Sequence, residues 1–565
     1  MKSRTSFFNV SLLRKDMVRF APAWALYGAF LLLVFSGNIL SYDRAGVADA
    51  LGDSLAAFGV FNLFYAMLCT QLLFGDLFQS RMCNALHALP IRREGWFVTH
   101  VLAGLAFCAI PVAAAGLVFL TVLGSYWMAG LLWMAGLILQ FLFFFAVAVL
   151  STMLVGNRFA AVVVYCILNF LSAIALWLFY SLYQPHLYGF VLDETPLLRL
   201  CPVVWMTQFD WFCSLSKVGL VQVQEGWGYL AICTVVGLVL LGLSVLLYRK
   251  RPLEKAGDFI VFKPTAPVFL VLYTFSAGAA LHLFSNVFIG ESTEFVFLLV
   301  GLAIGFFTGL MLLQRTLRVF RGKAFAGFGI LVAVFGLSLV LTILDPIGIT
   351  RWVPEEKDIK WATVDYYSSS DMHDHAITDK EVLRQIISIH QHAVDNAYEA
   401  NNGKKDVQVH LTYRLKNGQQ VQRKYLVDTG TLAAMTLEHV LSRPEILFGS
   451  DFTTAEALFE QLQSVEVERN DKVTYDPDKG YYRENVTVSD PDQLRSLCEA
   501  IMQDAMAGNL CQHWALRDGD EGLAFLYLRG KEYTTPGGIR TRHHWNIDCN
   551  NESTFLNAWI AENVK

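Results

Sequence analysis

Charge is what this chain has least of. Asp, Glu, Lys and Arg make up 16% of its 565 residues, against about a quarter in soluble domains, and 55% are hydrophobic. That balance excludes an ordinary soluble protein and marks a membrane protein. No G-x-x-x-x-G-K-[ST] phosphate loop occurs: Gly322-Lys323 has neither the upstream glycine nor the following Ser or Thr, so the chain is not expected to hydrolyse ATP alone. Neither G-x-S-x-G nor H-E-x-x-H is present, which leaves serine-hydrolase and zinc-protease chemistry without their reacting groups. The ten cysteines show no C-x-x-C and no Cys/His zinc spacing, and the seven before residue 346 read as small packing groups. Cys498, Cys511 and Cys549 in the tail are odd in number, so no complete disulfide framework is indicated. A cleavable signal peptide is not expected either, because five basic residues precede a first apolar run too long for a signal core.

What is abundant is long apolar sequence. A crossing needs about 20 mainly apolar residues, and nine stretches qualify: 21–40, 58–77, 98–123, 128–155, 159–182, 227–247, 268–288, 295–313 and 325–344. Connections on alternate sides carry eighteen and three Lys/Arg, the three being Arg44, Arg199 and Lys217. By the positive-inside rule the N-terminus is cytoplasmic, and nine crossings put the tail outside. A tenth stretch, 197–223, is interrupted by Arg199, Pro202, Asp210 and Lys217. Counted as a crossing, it would move Arg249, Lys250 and Arg251 outside together with Arg315, Arg318, Arg321 and Lys323, so it reads as a re-entrant or interfacial hairpin on the outer face. Before the first span, Phe8, Leu12 and Leu13 at helical spacing, with Arg14, Lys15 and Arg19, predict an amphipathic helix in the cytoplasmic interface.

The expected organisation is thus an α-helical polytopic membrane domain followed by an extracytoplasmic α+β domain. Residues 1–20 form the amphipathic helix, 21–247 a six-span core, 248–346 three further spans and 347–565 the outer domain. The membrane part has net charge +6 and the tail -11, which argues against nucleic acid as a partner. In the tail, 358–367 reads as a strand, and Thr378-Asp379-Lys380-Glu381 as a capping box opening a helix to about residue 400. Residues 407–413 and 420–427 form a hairpin about Asn417-Gly418, and a helix follows over 432–441. Strands at 464–468 and 486–488, a helix at 491–507, a hairpin of 523–529 with 539–547 and a helix at 552–563 suggest two β-α-β-β-α units.

Polar groups inside spans are costly and mark helix contacts or a path through the membrane. Gln71, Gln140, Asn169, His282 and Asn286 are of this kind, and His282 and Asn286 share one helix face at i, i+4. Gln140, Asn169, His282 and Asn286 are the candidate translocation-path residues. Nine of thirteen histidines lie in the tail, but His390 and His392 fall on opposing sides of a helix and cannot share an ion. Asp476-Pro-Asp478-Lys-Gly480 opens like a calcium loop, yet Thr487 stands where the bidentate Glu is required, so a turn is expected. No catalytic, cofactor or metal residue is assigned.

The basic N-terminal helix, six spans, a cytoplasmic helix ending in Leu89-Pro90-Ile91-Arg92 between spans two and three, and the hairpin before span six together resemble permease subunits of type-2 ABC exporters. The stretches 248–257 and 345–354 resemble a Gram-positive subgroup with three extra spans and a C-terminal domain of unknown function. The resemblance implies a bacterial cell-membrane location, a separate ABC ATPase that uses the ATP, a second permease protomer of the same or another chain, and contact with membrane lipid. It also implies that the loop after span two docks on the ATPase through Arg81, Asn84, Leu86, Leu89, Pro90, Arg92 and Arg93. The alternative reading is a membrane sensor or interaction protein whose outer domain binds an envelope ligand.

Overall fold

In hydrocarbon every backbone N–H and C=O must find its partner within the protein, so uninterrupted apolar sequence folds as helix. The computed structural model describes the chain apart from residues 1–7, 42–43, 88–91, 209–225, 291–292, 367–375, 396–405, 429–439, 441, 449–450, 477–479, 511–523, 535–539, 550–552 and 565. Among the described residues eight helices are long and apolar enough to cross a membrane, nine when the bent pair α1 (Val10–Arg19) and α2 (Ala21–Ser41) counts as one. The eight lie in α3 (Arg44–Leu73), α5 (Arg93–Leu123), α6 (Trp127–Leu154), α7 (Arg158–Leu178), α10 (Gly226–Lys250), α11 (Ala266–Phe288), α12 (Glu294–Gln314) and α13 (Gly322–Leu344). Between them sit the short helices α4 (Ser80–His87), α8 (Thr195–Arg199) and α9 (Pro202–Met206).

The interrupted stretch therefore begins as two five-residue helices, each with proline in its first turn, and not as a continuous span; its remainder from residue 209 lies outside the described residues. Helix α3 starts well before the expected residue 58, because Ala50, Leu51 and Leu55 extend its packing face ahead of the strongly apolar run.

The chain divides into two compact units, one of Met1–Tyr180 with Glu194–Leu337, the other of Ser181–Asp193 with Ser338–Lys565. In the first unit α6 is the central helix, burying Trp133, Phe141 and Phe144 against α3, α5 and α10. Helix α1 packs on α5: the Asn9 N–H donates to Thr99 Oγ1 at 3.1 Å, and Leu12, Leu13 and Met17 join the core. Helices α11 and α12 meet through glycines. A Cβ on Gly301 would lie 2.9 Å from the Gly278 Cα, and one on Gly305 would lie 3.1 Å from the Thr274 Cα, which is the close approach that small residues permit between apolar helices.

The second unit holds two four-stranded antiparallel sheets. The first has the order β1 (Phe190–Val191), β4 (Gln420–Asp428), β3 (Asp406–Leu415), β2 (Ile359–Tyr366). Helix α14 (Lys380–Asp395) links β2 to β3 and buries Val382, Ile386 and Ile389 against Val409, Leu411 and Tyr413. Its cap is Asp379, whose carboxylate accepts the Glu381 and Val382 N–H groups at 2.9 and 3.0 Å. The capping box read from the sequence, with Thr378 in that place, is off by one residue. Gly418 turns the β3–β4 hairpin at φ 90°.

After α15 (Pro444–Leu447) and α16 (Ala455–Gln461), the second sheet runs β6 (Gly480–Val488), β5 (Leu462–Asp476), β7 (Ala524–Thr534), β8 (Arg540–Cys549). It carries α17 (Pro491–Ala507) and α18 (Thr554–Asn563) and encloses its own core around Leu497, Leu526 and Trp559. The expected helix over 432–441 falls almost wholly outside the described residues.

Candidate functional site

Five of the seven residues assigned to the docking loop fall on α4 and the entry to α5. Arg81, Asn84 and Arg92 are exposed, Arg93 is half-buried and opens α5, and Leu86 lies on α4 with its side chain outside the description. Leu89 and Pro90 lie outside the described residues. The helix is pinned from below, with Cys83 1% exposed and Ser80 Oγ donating to the Ala256 carbonyl at 3.3 Å.

Arg251 holds this end of the bundle together. It sits one residue beyond α10, is 3% exposed, and donates to the Thr152 and Met153 carbonyls at 2.7 and 3.2 Å and to Leu77 at 3.5 Å. Thr152 and Met153 belong to the last turn of α6, whose carbonyls have no partner within the helix. Burial lowers the guanidinium to about 10, so it stays charged at neutral pH. The segment that follows crosses the α6–α7 turn: Gly257 N–H donates to Gly156 O at 2.6 Å, Gly156 N–H to Asp258 O at 2.9 Å and Val261 N–H to Leu154 O at 3.0 Å. Only glycine fits at 156, since a Cβ there would lie 2.2 Å from the Lys255 carbonyl oxygen. Asp258 pairs with Lys255 at 2.9 Å and with Arg315 of the α12–α13 connection at 2.8 Å, and Arg249 pairs with Glu94 at 3.0 Å. Four connections are thereby fixed to one another behind an exposed, basic α4.

The four residues assigned to a path do not form one cluster. Gln140 is fully buried; its Nε2 donates to Leu55 O at 3.0 Å and its Oε1 accepts from Asn62, which in turn accepts from the Tyr27 hydroxyl. That network ties α2, α3 and α6 and leaves no free group on Gln140. Asn169 donates to Tyr165 O one turn back, while its Oδ1 is buried without a hydrogen-bond partner among the described residues. His282 and Asn286 do converge, at the α11–α12 turn. His282 Nε2 lies 3.7 Å from Glu294 Oε2, its ring lies tilted at 46° to that of Trp177 with centroids 4.6 Å apart, and Asn286 donates to the other Glu294 oxygen. Ser285 and Thr293 hydroxyls meet at 2.9 Å beside them. Glu294 escapes the sequence reading because it precedes the expected span 295–313 by one residue, although it opens α12, and Arg251 because a basic residue after a span reads as an anchor.

In the second unit the buried groups form a clamp. His390 of α14 is 0% exposed, with its Nδ1 3.2 Å from the Tyr413 hydroxyl and its Nε2 2.8 Å from the Tyr425 hydroxyl. Burial, then the nearby Arg423 charge, lowers His390 to about 3. Arg423 lies over Phe190 and Trp352 at 5.6 Å and donates to Ile349 O at 3.0 Å. The same stretch is anchored at Asp345, which accepts from Ile349 N–H and Thr350 N–H, both at 2.8 Å. Slight burial works against these bonds, and they still hold its carboxyl below the usual range. On the sheet face away from α14 lies a cavity of about 230 Å³ bordered by Trp361, Thr363, His410, Thr412 and Gln422 among others. No family model, curated protein or solved structure matches the chain.

Proposed function

We propose that the chain is the membrane-spanning permease subunit of an ATP-driven ABC exporter, with a cytoplasmic N-terminus, an extracytoplasmic second unit and a separate ATPase docked on α4. The observation that carries this reading is the rigid, basic end of the bundle. A short helix with exposed Arg81 and Asn84 is tied at Ser80 to Ala256 in the segment after α10, and Arg251 of that segment holds the end of α6 and Leu77 in the turn after α3. A force applied to α4 is therefore passed to several spans at once, which is what coupling to a nucleotide-driven motor requires.

The orientation has independent support. Strand β1 follows α7, yet it pairs with β4, Phe190 opposite Arg423 and Val191 opposite Gln422. Paired strands lie on one side of a membrane, so an even number of crossings must separate residue 191 from residue 359. Helices α10, α11, α12 and α13 supply four, and a crossing by the 197–223 stretch would make the number odd. The charge pattern then assigns the side.

The test is Arg81→Glu with Arg92→Glu in the chain co-expressed with its ATPase. The expected result is loss of nucleotide hydrolysis from the purified complex at unchanged membrane insertion. Undiminished hydrolysis and co-purification would refute the docking assignment. The second reading, a sensor whose outer unit binds an envelope ligand while the spans relay occupancy without translocation, is favoured by the polar cavity on the first sheet; deletion of residues 353–565 separates the two, since surviving transport with lost induction or resistance favours sensing.

A further inference from the structure

The cavity on the first sheet is built unlike the rest of the sheet surface. Along β3 burial alternates strictly, with Val409, Leu411, Tyr413 and Leu415 turned to α14 and His410, Thr412 and Arg414 to the other side. Register places Thr363, Thr412 and Gln422 in one cross-strand row, with Trp361 and Gln420 flanking it toward one end and His410 toward the other. Thr363 is only 4% exposed although its row is polar. No hydrogen bond within the chain engages any of these six side chains among the described residues, so their donors and acceptors are left for something else.

The chemistry of the lining narrows the occupant. Backbone groups here are spent in the β2–β3–β4 ladder, so recognition must run through side chains, whereas peptide strands are held at sheet edges through main-chain bonds. Each glutamine offers two donors and an acceptor, and each threonine one donor and two acceptor sites. Burial and the Lys424 charge lower His410, so near neutral pH it presents one donor and one acceptor. No carboxylate borders the cavity among the described residues, and Arg423 stands in the cross-strand row of Leu411, the row turned to α14, where one N–H goes to Ile349 O and Nε and Nη1 have no hydrogen-bond partner among the described residues. Trp361 adds one aromatic face with a polar edge. Paired donor–acceptor groups beside one aromatic ring match vicinal hydroxyls on a saturated ring. The volume of about 230 Å³ is smaller than the roughly 300 to 1,000 Å³ of drug-sized sites, which suits a single ring.

We propose that this cavity is a carbohydrate site, taking one neutral sugar unit with its hydroxyls on Thr363, Thr412, Gln420 and Gln422 and its C–H face on Trp361. The site belongs to the second unit and does not depend on the permease reading. Full-length protein in lipid nanodiscs is to be tested by saturation-transfer NMR with glucose, N-acetylglucosamine and, as a peptide comparison, alanyl-alanine. Saturation of sugar ring protons is expected, with affinity falling about tenfold in Gln422→Leu and in Trp361→Ala, the change that loss of one or two hydrogen bonds or a ring contact produces. Thr412→Val, nearly isosteric, guards against loss of fold, and hydrogen exchange of β3 and β4 must match the wild type in every variant compared. No sugar signal, equal signals in wild type and all three variants, or a signal from the dipeptide alone would overturn the proposal.

Discussion

Lowering pH should loosen the first sheet through His390, and the size of the effect follows from its burial. The imidazole is lowered from 6.5 to about 3 by burial and then by Arg423, and both tyrosine hydroxyls that face it are neutral partners. A group whose folded pKa lies below its unfolded value binds fewer protons when folded. Its stability contribution is therefore whole above about pH 6.5 and is lost as pH falls toward about 3. Between about pH 7 and about pH 5 the unfolded form gains a proton that the folded form refuses, and about 2 kcal/mol of opening free energy disappears. Hydrogen exchange of β3 and β4 amides, corrected for intrinsic rates, reads it directly. His390→Gln should start lower, by about 1 to 3 kcal/mol for the disrupted tyrosine contacts, but lose less on acidification. His410 is shifted in the same direction by burial and Lys424 and adds to the slope, so His410→Gln is the necessary control. If His390→Gln loses as much between the two pH values as the wild type, the imidazole is not kept neutral by its burial and the reasoning fails.

Arg251→Met should destabilise the membrane unit by about 2 to 4 kcal/mol, since the α6 and Leu77 carbonyls lose their donor, and thermal unfolding in detergent measures it; a variant as stable as wild type would show those carbonyls to be otherwise satisfied. Asp504 is fully buried and accepts the Leu556 and Phe555 N–H groups at 2.8 and 3.4 Å at the start of α18. Asp504→Ala should cost about 2 kcal/mol, a lost cap in a buried setting, and should raise maleimide labelling of Cys498 and Cys549, both 0% exposed, as read by peptide mass spectrometry. Gly189 has φ 73°, and a Cβ there would lie 2.0 Å from the Tyr425 ring, so Gly189→Val should undock β1 and raise exchange in β4; unchanged exchange would mean that the β1 pairing contributes nothing to the sheet.

The helices were legible because apolar length alone forces them, and the hairpin because Asn417-Gly418 and the alternation along β3 leave one register. What escaped the sequence was direction at single residues. Arg249, Lys250 and Arg251 read alike as anchors, yet only Arg251 turns inward, because the end of α6 presents carbonyls that need a donor. Gln140 reads as a helix contact or a path residue, and its partners are Asn62 and Leu55, groups 78 and 85 positions away. Nothing local encodes such a meeting. Glu294 and His282 are likewise brought together only by the α11–α12 turn.

The two tail sheets share a strand order that the sequence reads only loosely. In each, a strand is joined through a helix to its antiparallel neighbour, and a hairpin completes three strands: β2, α14, β3, β4 in the first and β5, α17, β7, β8 in the second. Each then gains a fourth strand from a different source on a different edge. The second inserts β6 directly after β5 and pairs it there, which lengthens the sequence ahead of the helix and shifts any alignment of the repeats. The first takes β1 from the connection after α7, far away in sequence, and pairs it beside β4. An open edge invites unwanted pairing, and one module covers an edge locally while the other uses the membrane domain's own connection. That borrowed strand makes the sheet dependent on residues 188–191, where Tyr188 also packs on Tyr425.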